Sequence, residues 1–229
     1  MVEESVKGFI ESSFLDWPGK VAAVLFLPGC NFRCPFCHNP SLVLRPDSVQ
    51  DIPLAKVLSS LRAHQGWVDG VVVTGGEPTV FSGLEPLLTR LKGDGLLVKL
   101  DTNGSRPEIL KALMARGLVD AVAMDIKAPL EAGIYSRAAG VPVDIAAIAE
   151  SIKVLIESGL ELTFRATVVP GIHDEAAVRA MAETLHGRGL ALQNFRPDGV
   201  LDPAFSLLKP FGPAEFADMQ AACHPKGAV

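Results

Sequence analysis

Three of the four cysteines of this chain fall within eight residues, directly after an apolar stretch. They are Cys30, Cys34 and Cys37, and their spacing is C-x3-C-x2-C. Three thiolates can hold three irons of a [4Fe–4S] cube, which leaves the fourth iron without a protein ligand. An iron with an open coordination position can bind and activate a small molecule. The spacing therefore favours an iron–sulfur centre that performs chemistry over one that only carries electrons.

Three other interpretations of these cysteines stay open. Cys34 and Cys37 alone form the C-x-x-C pair of a thioredoxin-type redox site, and His38 extends the pair to the C-x-x-C-H pattern of haem attachment. Both leave Cys30 without a role, and haem attachment also needs an export signal that residues 1–5 do not resemble. Zinc held by all three cysteines and His38 is the third alternative, although structural zinc sites usually join ligand pairs from separate segments. The remaining cysteine, Cys223, is predicted to be a thiol without a ligand role.

The composition argues against several classes of protein. The chain has 229 residues, of which 48% are hydrophobic, and a formal net charge of −5, so long-range attraction to nucleic acid is not expected. No apolar run approaches the ~20 residues that span a bilayer, so no membrane association is expected. We predict a cytoplasmic protein, and in that compartment clustered cysteines indicate metal or redox chemistry rather than structural disulfides.

The cysteines follow the first of several strand-like segments that alternate with helix-like ones. Continuous apolar runs predict six strands, at residues 21–27, 71–73, 96–100, 121–126, 162–169 and 190–195. Apolar residues at helical spacing predict helices at residues 54–61, 84–91, 107–116, 144–156, from 174 onward and 213–222. The predicted N-terminal caps of four of these helices are Asp51, Ser82 with Glu85, Asp144 and Asp174.

This alternation predicts an α/β fold. Strands separated by single helices pair in parallel with right-handed crossovers, and six such units predict a partial (β/α)6 TIM-like open barrel with parallel strands. We expect one domain over residues 1–229, with the part-barrel at 21–196. Residues 1–20 form an irregular arm or a strand pair in this prediction, and residues 197–229 form a tail.

Polar residues follow the strands at the edge where ligands bind in parallel α/β sheets, the carboxyl ends. They are Gly75, Gly76 and Glu77 after the second strand, Asp101, Thr102 and Asn103 after the third, Asp125 and Lys127 after the fourth, and Arg165 on the fifth. Buried charges are costly unless they pair with one another or meet a polar ligand. Two adjacent glycines allow backbone to approach a ligand closely, and a glutamate is a good acceptor for an ammonium group. Asn103 also begins an Asn-Gly turn.

The cysteine motif has an aromatic residue, Phe36, before its last cysteine, and Gly75-Gly76-Glu77-Pro78 follows the next strand. This combination resembles the radical S-adenosylmethionine (SAM) superfamily. Nearly the whole chain is similar to activating enzymes of glycyl-radical enzymes, most of all to the activating proteins of anaerobic ribonucleoside-triphosphate reductases. The stretches that support this resemblance are 16–20, 34–40, 99–104, 124–129, 164–169 and 192–197. One stretch, Asp16-Trp17-Pro18-Gly19, departs from the Asp-Gly-Pro-Gly of pyruvate formate-lyase activators.

The resemblance implies a role for each candidate residue. Cys30, Cys34 and Cys37 bind a [4Fe–4S] cluster, and SAM chelates the open iron through its amino and carboxylate groups. Gly75, Gly76 and Glu77 hold the SAM amino group, and Phe36 packs near the adenine. Asp101, Thr102 and Asp125 match a monovalent-cation site beside the SAM carboxylate. Lys127 and Arg165 match cofactor-contacting positions, and Asn103 is also predicted to be a cofactor-binding residue. No role is assigned to Arg196, which falls where formate-lyase activators have a histidine.

The implied activity is reductive cleavage of SAM and abstraction of hydrogen from a glycine of a partner enzyme, with flavodoxin or ferredoxin as electron donor. The implied partner is anaerobic ribonucleoside-triphosphate reductase. Alternatives are an activator of another glycyl-radical enzyme, such as pyruvate formate-lyase, and a small-molecule radical SAM enzyme such as 7-carboxy-7-deazaguanine synthase. A non-catalytic iron–sulfur electron carrier is a further alternative, but it would not need the glycines and charges at the strand ends. The segment around Trp17 is a candidate for partner docking.

Overall fold

The structure, a computed structural model, describes residues 5–223. The first four residues of the predicted arm and the last six of the predicted tail lie outside the described residues. The chain divides into two compact units. The first unit is formed by residues 1–31, 41–102 and 108–122, and the second by residues 32–40, 103–107 and 123–229. The prediction of one domain stays a prediction.

The six predicted strands are all present. In chain order the strands are β1 Ser5–Val6, β2 Gly8–Ser13, β3 Ala22–Leu27, β4 Ile52–Pro53, β5 Gly70–Gly75, β6 Leu97–Thr102, β7 Ala121–Asp125, β8 Glu161–Val168 and β9 Leu190–Asn194. The strand order in the main sheet is β2-β3-β5-β6-β7-β8-β9. The pairs β3–β5, β5–β6 and β8–β9 are parallel, whereas β2 runs antiparallel to β3. The α/β fold is therefore confirmed, and the arm forms strands rather than an irregular segment.

Within residues 5–223, eight α-helices connect or follow these strands. They are α1 Pro40–Leu44, α2 Leu54–Ala63, α3 Leu84–Gly93, α4 Pro107–Ala115, α5 Ala132–Ala139, α6 Ile145–Glu157, α7 Glu175–Glu183 and α8 Pro213–Ala222. Short 3-10 helices occur at Pro46–Ser48, Pro78–Val80 and Pro203–Leu207. The sequence did not predict α1 and α5, because α1 has only five residues and α5 is built mainly from small residues. In the described part of the chain no helix is long and apolar enough to cross a bilayer.

Two of the four predicted helix caps are confirmed. The Asp144 carboxylate accepts a hydrogen bond of 2.9 Å from the backbone N–H of Ala146 at the start of α6. The Asp174 carboxylate accepts one of 2.7 Å from Ala177 at the start of α7. Each bond satisfies an N–H group that has no partner inside its helix, which stabilises the first turn.

The other two predicted caps are wrong. Helix α2 begins at Leu54 with Pro53 in the cap position, so Asp51 lies too far upstream, and its carboxylate accepts a hydrogen bond from Ser5 instead. Helix α3 has Gly83 in the cap position without a side-chain cap bond, so Ser82 precedes the cap by one residue. In both cases the predicted helix is present, but its N-terminal cap lies one or two residues later in the chain than the sequence pattern suggests.

The Trp17 side chain belongs to the core of the first unit. It is 1% exposed and packs in a cluster with Ala22, Val24, Val72 and Ala121, from β3, β5 and β7. Its ring therefore cannot be a docking contact for a partner. Pro18 and Gly19, which follow it, are exposed, as are two large apolar residues before it.

The two large apolar residues before Trp17 are Phe14 and Leu15, with exposed fractions of 65% and 90%. They follow β2, whose last residue, Ser13, pairs with Ala22 at the beginning of β3. The turn therefore lies at the amino end of β3, whereas the cysteine segment follows its carboxyl end.

Candidate active site

The cysteine segment begins directly after β3 and spans both units. Cys30 belongs to the first unit, and Cys34 and Cys37 belong to the second. None of the three forms a disulfide bond in the part of the chain that the structure describes, and Cys34 is 7% exposed. The backbone N–H of Cys37 donates to the carbonyl of Cys34 at 3.0 Å, and the N–H of Asn39 donates to the Cys37 sulfur at 3.4 Å. Cysteine thiolates are the ligand type that an iron–sulfur cluster requires, and binding of a cluster by these three residues stays a prediction.

The glycines after β5 pack against the turn that precedes Cys30. Gly75 has a φ of +123°, and a Cβ built on Gly76 would lie 1.8 Å from the carbonyl oxygen of Gly29. The N–H of Glu77 donates to the same oxygen at 2.8 Å. The absence of a side chain at Gly76 thus lets the end of β5 approach the Gly29 peptide, and the predicted close approach of this backbone to a ligand stays a prediction. Residue 76 must be glycine for the two segments to meet in this way.

Glu77 is a buried carboxylate with fixed hydrogen bonds. Its side chain is 1% exposed, and Oε1 accepts bonds from the Thr79 N–H at 3.1 Å and the Thr79 hydroxyl at 2.6 Å. The hydroxyl of Thr102 donates to the same oxygen at 2.7 Å. The structure thus brings together Glu77 and Thr102, which the resemblance assigns to different parts of the SAM site. Whether Glu77 also accepts the SAM amino group stays a prediction.

A buried ion pair lies on β6. Lys99 Nζ is 3.6 Å from Asp101 Oδ1, and both residues are buried. The Lys99 ammonium also donates to the backbone carbonyl of Asp16. Sequence reasoning missed Lys99, although residues two apart on a strand share one face and the Lys-Leu-Asp pattern could have revealed the pair.

In the second unit three predicted site residues form one ionic cluster. Asp125 lies between two cations, with Lys127 Nζ at 3.2 Å and Arg165 Nε at 2.9 Å. Burial disfavours the ionised carboxylate, but Lys127 and Arg165 more than offset this effect and hold the pKa of Asp125 below its usual range. Burial likewise disfavours the Lys127 ammonium, yet the negative charges of Asp125 and Cys34 raise the pKa of Lys127. Lys127 is therefore charged at neutral pH.

The backbone of Lys127 is fixed on both sides. Its N–H lies 3.4 Å from the hydroxyl of the buried Tyr135, and its carbonyl lies 2.8 Å from Nε2 of His173. The other ring nitrogen of His173 accepts from the N–H of Val169 at 3.0 Å, so Nε2 carries the proton and donates. Burial lowers the pKa of His173, which keeps the ring neutral. The sequence analysis identified neither His173 nor Tyr135. The position of His173 shortly after the end of β8 was the one signal that could have indicated a role.

The remaining predicted residues have local roles in the structure. Asn103 is buried, and its side-chain oxygen accepts from the Ser105 N–H at 2.9 Å, which confirms the predicted turn. The next residue, Gly104, has a φ of +73°, as such a turn requires. Phe36 is 4% exposed, and its packing near the adenine stays a prediction.

Two side chains bear on the alternatives for the cysteines. His38 Nε2 lies 3.0 Å from the backbone carbonyl of Arg196. A histidine that binds zinc through one ring nitrogen commonly donates the other to a backbone carbonyl, so this bond leaves the zinc alternative open. Cys223 is 2% exposed at the end of α8, and burial raises its pKa to about 11, so it is an inert thiol at neutral pH, in agreement with the prediction that it has no ligand role.

The chain is similar to known proteins over most of its length. The model of the radical SAM superfamily matches residues 24–183. A Methanocaldococcus jannaschii protein assigned to the glycyl-radical enzyme activating enzymes is 31% identical over 209 residues, which cover 89% of this chain and 85% of the relative. The pyruvate formate-lyase-activating enzyme of Staphylococcus aureus is 29% identical over 123 residues, and the match covers 49% of each chain.

Solved structures share the fold at low sequence identity. Escherichia coli coproporphyrinogen III oxidase, described as a radical SAM enzyme, superposes with a TM-score of 0.61 at 16% identity, covering 91% of this chain and 52% of the oxidase. Streptococcus suis SuiB bound to SAM gives a TM-score of 0.63 at 16% identity, covering 86% of this chain and 47% of SuiB. This chain thus spans about half of each of these structures. The likeness confirms the predicted TIM-like α/β fold class.

The three cysteines, which form no disulfide within residues 5–223, and the glycines at the end of β5 are of the residue types that suit the cofactors of such a family. The superfamily model covers more than half of the chain, and the archaeal relative extends the match to almost all of it. The chain therefore belongs to the radical SAM superfamily and, within it, to the glycyl-radical enzyme activating enzymes, whose cofactors are a [4Fe–4S] cluster and SAM.

Proposed function

We propose that this chain activates an anaerobic ribonucleoside-triphosphate reductase by forming a glycyl radical in it. The observation that carries this choice of target is Trp17, which stands where pyruvate formate-lyase activators have glycine. In the structure the ring packs in a cluster with Ala22 and Val24 of β3 and Val72 of β5, and a glycine would not make these contacts. The Asp16–Gly19 segment of this chain is thus packed differently from one built around glycine, and this supports a target other than pyruvate formate-lyase.

When bound, the [4Fe–4S] cluster and SAM supply the one-electron cleavage of SAM and the abstraction of a hydrogen atom from the target glycine. The contribution of the protein is to bind and orient these groups. Cys30, Cys34 and Cys37 hold the cluster, and the backbone of Gly75 and Gly76, with the Glu77 carboxylate, holds the SAM amino group.

The buried carboxylate of Glu77 suits this role because its hydrogen bonds to Thr79 and Thr102 fix its orientation before SAM arrives. A preorganised acceptor does not have to be reoriented when it binds an ammonium group, which favours binding. Asn103, which directly follows β6, stays a predicted cofactor-binding residue.

The Asp125 cluster has a second proposed role. Lys127 and Arg165 contact the cofactor in this proposal, and Asp125 holds both of them in place through the ion pairs at 3.2 Å and 2.9 Å. A monovalent cation bound by Asp101, Thr102 and Asp125 stays a prediction. Each of the two carboxylates already has a cationic neighbour, so the cation would have to share them.

The proposed setting is the cytoplasm, with flavodoxin or ferredoxin as the source of the electron. The test is an anaerobic assay of the reconstituted protein with dithionite and SAM. Formation of methionine and 5′-deoxyadenosine is expected, and their absence would rule out a radical SAM activity.

A second measurement identifies the target. The activated protein is mixed with the anaerobic reductase or with pyruvate formate-lyase of the same organism, and the glycyl-radical doublet is recorded by electron paramagnetic resonance. We expect the doublet with the reductase alone. A doublet only with the formate-lyase would overturn the choice of target but not the family, whereas SAM cleavage without either doublet would favour a small-molecule substrate.

A further inference from the structure

The second unit has a groove whose wall is formed by the cysteine segment itself. The groove has a volume of about 530 Å³, and we name it the Arg33–Arg137 groove after two of its lining residues. Arg33 and Pro35, on either side of Cys34, form one wall, and Ile172, Leu201 and Phe205 contribute apolar surface. A protein that occupies this groove therefore lies directly against the segment that holds the cluster ligands.

Backbone hydrogen bonds hold the walls of the groove together. At the end of α5 the Arg33 N–H donates to the carbonyl of Ala139 at 2.7 Å. The next residue, Gly140, has a φ of +70°, and a Cβ there would lie 2.0 Å from the Arg33 carbonyl oxygen. On the other side, the Asp202 N–H donates to the Pro35 carbonyl at 2.9 Å. The groove is therefore a defined feature of the fold.

The charge of the groove is opposite to that of the whole chain. Two arginines line it against one acid, Asp202, whereas the formal net charge of the chain is −5. Arg137 lies in the last turn of α5, and within residues 5–223 it forms no ion pair that would neutralise it. A local basic surface on an acidic protein steers acidic partners to one place.

The apolar residues indicate which acidic partner fits. Besides the lining side chains, Leu207 in the adjoining 3-10 helix is 85% exposed. A groove of this size with apolar walls and flanking cations suits a protein that presents a flat apolar edge surrounded by carboxylates. The edge of a flavin on an acidic flavodoxin has this chemistry.

We propose that the Arg33–Arg137 groove is the docking surface for reduced flavodoxin, the electron donor. This inference rests on the proposed function. Cys34 is 7% exposed, so a donor reaches the cluster segment through the residues that flank it rather than by contact with the thiolate. In the transfer, one electron leaves the flavin hydroquinone, which becomes the semiquinone, and the cluster charge falls by one unit.

The first test measures binding of flavodoxin of the same organism to the reconstituted protein at low salt. Arg137→Glu is expected to weaken flavodoxin binding about tenfold, and the double variant Arg33→Glu/Arg137→Glu is expected to weaken it further. In both variants the affinity should depend less on salt concentration than in the wild type. The matched control is Arg188→Glu, an exposed arginine of the same unit that precedes β9, outside the groove. Binding by this control should stay within twofold of the wild type.

The second test separates docking from folding and from the proposed function. SAM cleavage driven by dithionite should be the same in Arg137→Glu and the wild type, while the single-turnover oxidation of flavodoxin hydroquinone slows. Flavodoxin binding within twofold of the wild type in Arg137→Glu, or an equal loss in Arg188→Glu, would overturn the docking proposal. The docking proposal would also be overturned if Arg137→Glu weakened the binding of ferredoxin or of the glycyl-radical partner but not the binding of flavodoxin. Failure of the wild type to cleave SAM with dithionite would instead refute the proposed function, and the binding result would still decide the docking surface.

Discussion

Replacement of Gly76 by alanine tests the contact that joins the end of β5 to the cysteine segment. The new Cβ would lie 1.8 Å from the carbonyl oxygen of Gly29, and real Cβ contacts essentially never fall below 3.0 Å. One of the two backbone segments must therefore move by at least 3.0 − 1.8 = 1.2 Å. Because Cys30 directly follows Gly29, the movement displaces a residue that we propose to be a cluster ligand.

The expected cost has two parts. Overpacking of a rigid interior costs about 1–3 kcal/mol. The displacement also breaks the hydrogen bond of 2.8 Å from the Glu77 N–H to Gly29, and loss of a buried hydrogen bond costs about 1–3 kcal/mol. The free energy of unfolding should therefore fall by about 2–6 kcal/mol, a large fraction of the 5–15 kcal/mol typical of a domain. For a chain of this size the melting temperature should fall by roughly 4 °C or more.

The assay is urea denaturation of the cluster-free protein, followed by far-ultraviolet circular dichroism under anaerobic conditions. A second readout is the iron content after reconstitution, which should be reduced. Gly133→Ala is the matched control, since Gly133 lies in α5 and a Cβ there would meet nothing within 4 Å. This control should unfold at the same urea concentration as the wild type or slightly above it.

The reasoning is refuted if Gly76→Ala unfolds within about 0.5 kcal/mol of the wild type. If the variant is less stable but binds the full amount of iron, the contact stabilises the fold but does not position Cys30 for cluster binding. Only the combined loss of stability and iron agrees with the geometry.

The remaining predictions concern three other residues. Cys34→Ala should assemble less than the full iron content and lose SAM cleavage, and retained cleavage would contradict its role as a ligand. Thr102→Val removes one hydrogen bond from the buried Glu77 carboxylate and should lower the free energy of unfolding by about 1–3 kcal/mol, whereas Thr89→Val, on the exposed face of α3, should change it by less than about 0.5 kcal/mol. Because burial lowers the pKa of His173 below 6.5, the unfolded chain takes up a proton first, so stability should be full above pH 6.5 and decline below it. His173→Asn should show a smaller decline between pH 6.5 and 5, measured by urea denaturation, and an unchanged slope would assign the pH dependence to another group.

The sheet could be predicted because buried parallel strands consist of continuous apolar runs, such as Val71 to Val73. The pairing of Asp125 with Lys127 could be expected as well, since side chains two apart on a strand share a face. Confirmed caps such as Asp144 depend only on residues within one helical turn. These features are local in sequence, and local patterns are sufficient for them.

The features that the sequence could not reveal depend on distant contacts. The carbonyl that fills the Cβ position of Gly76 belongs to Gly29, far upstream in the chain. His173 was missed because its two hydrogen-bond partners lie at the ends of different strands. The wrong cap at Asp51 has the same origin, because a contact with Ser5 in the arm takes its carboxylate away from the helix.

The hydrogen bonds of the cysteine segment to late parts of the chain have a consequence for biosynthesis. His38 binds the carbonyl of Arg196, and the Pro35 carbonyl accepts from Asp202, both more than 150 residues downstream. While the ribosome is still making the first strands, these partners do not exist, so the ligands emerge in a segment that lacks part of its final support. We therefore expect iron to be inserted after translation rather than during it, by the machinery that delivers it to a finished polypeptide.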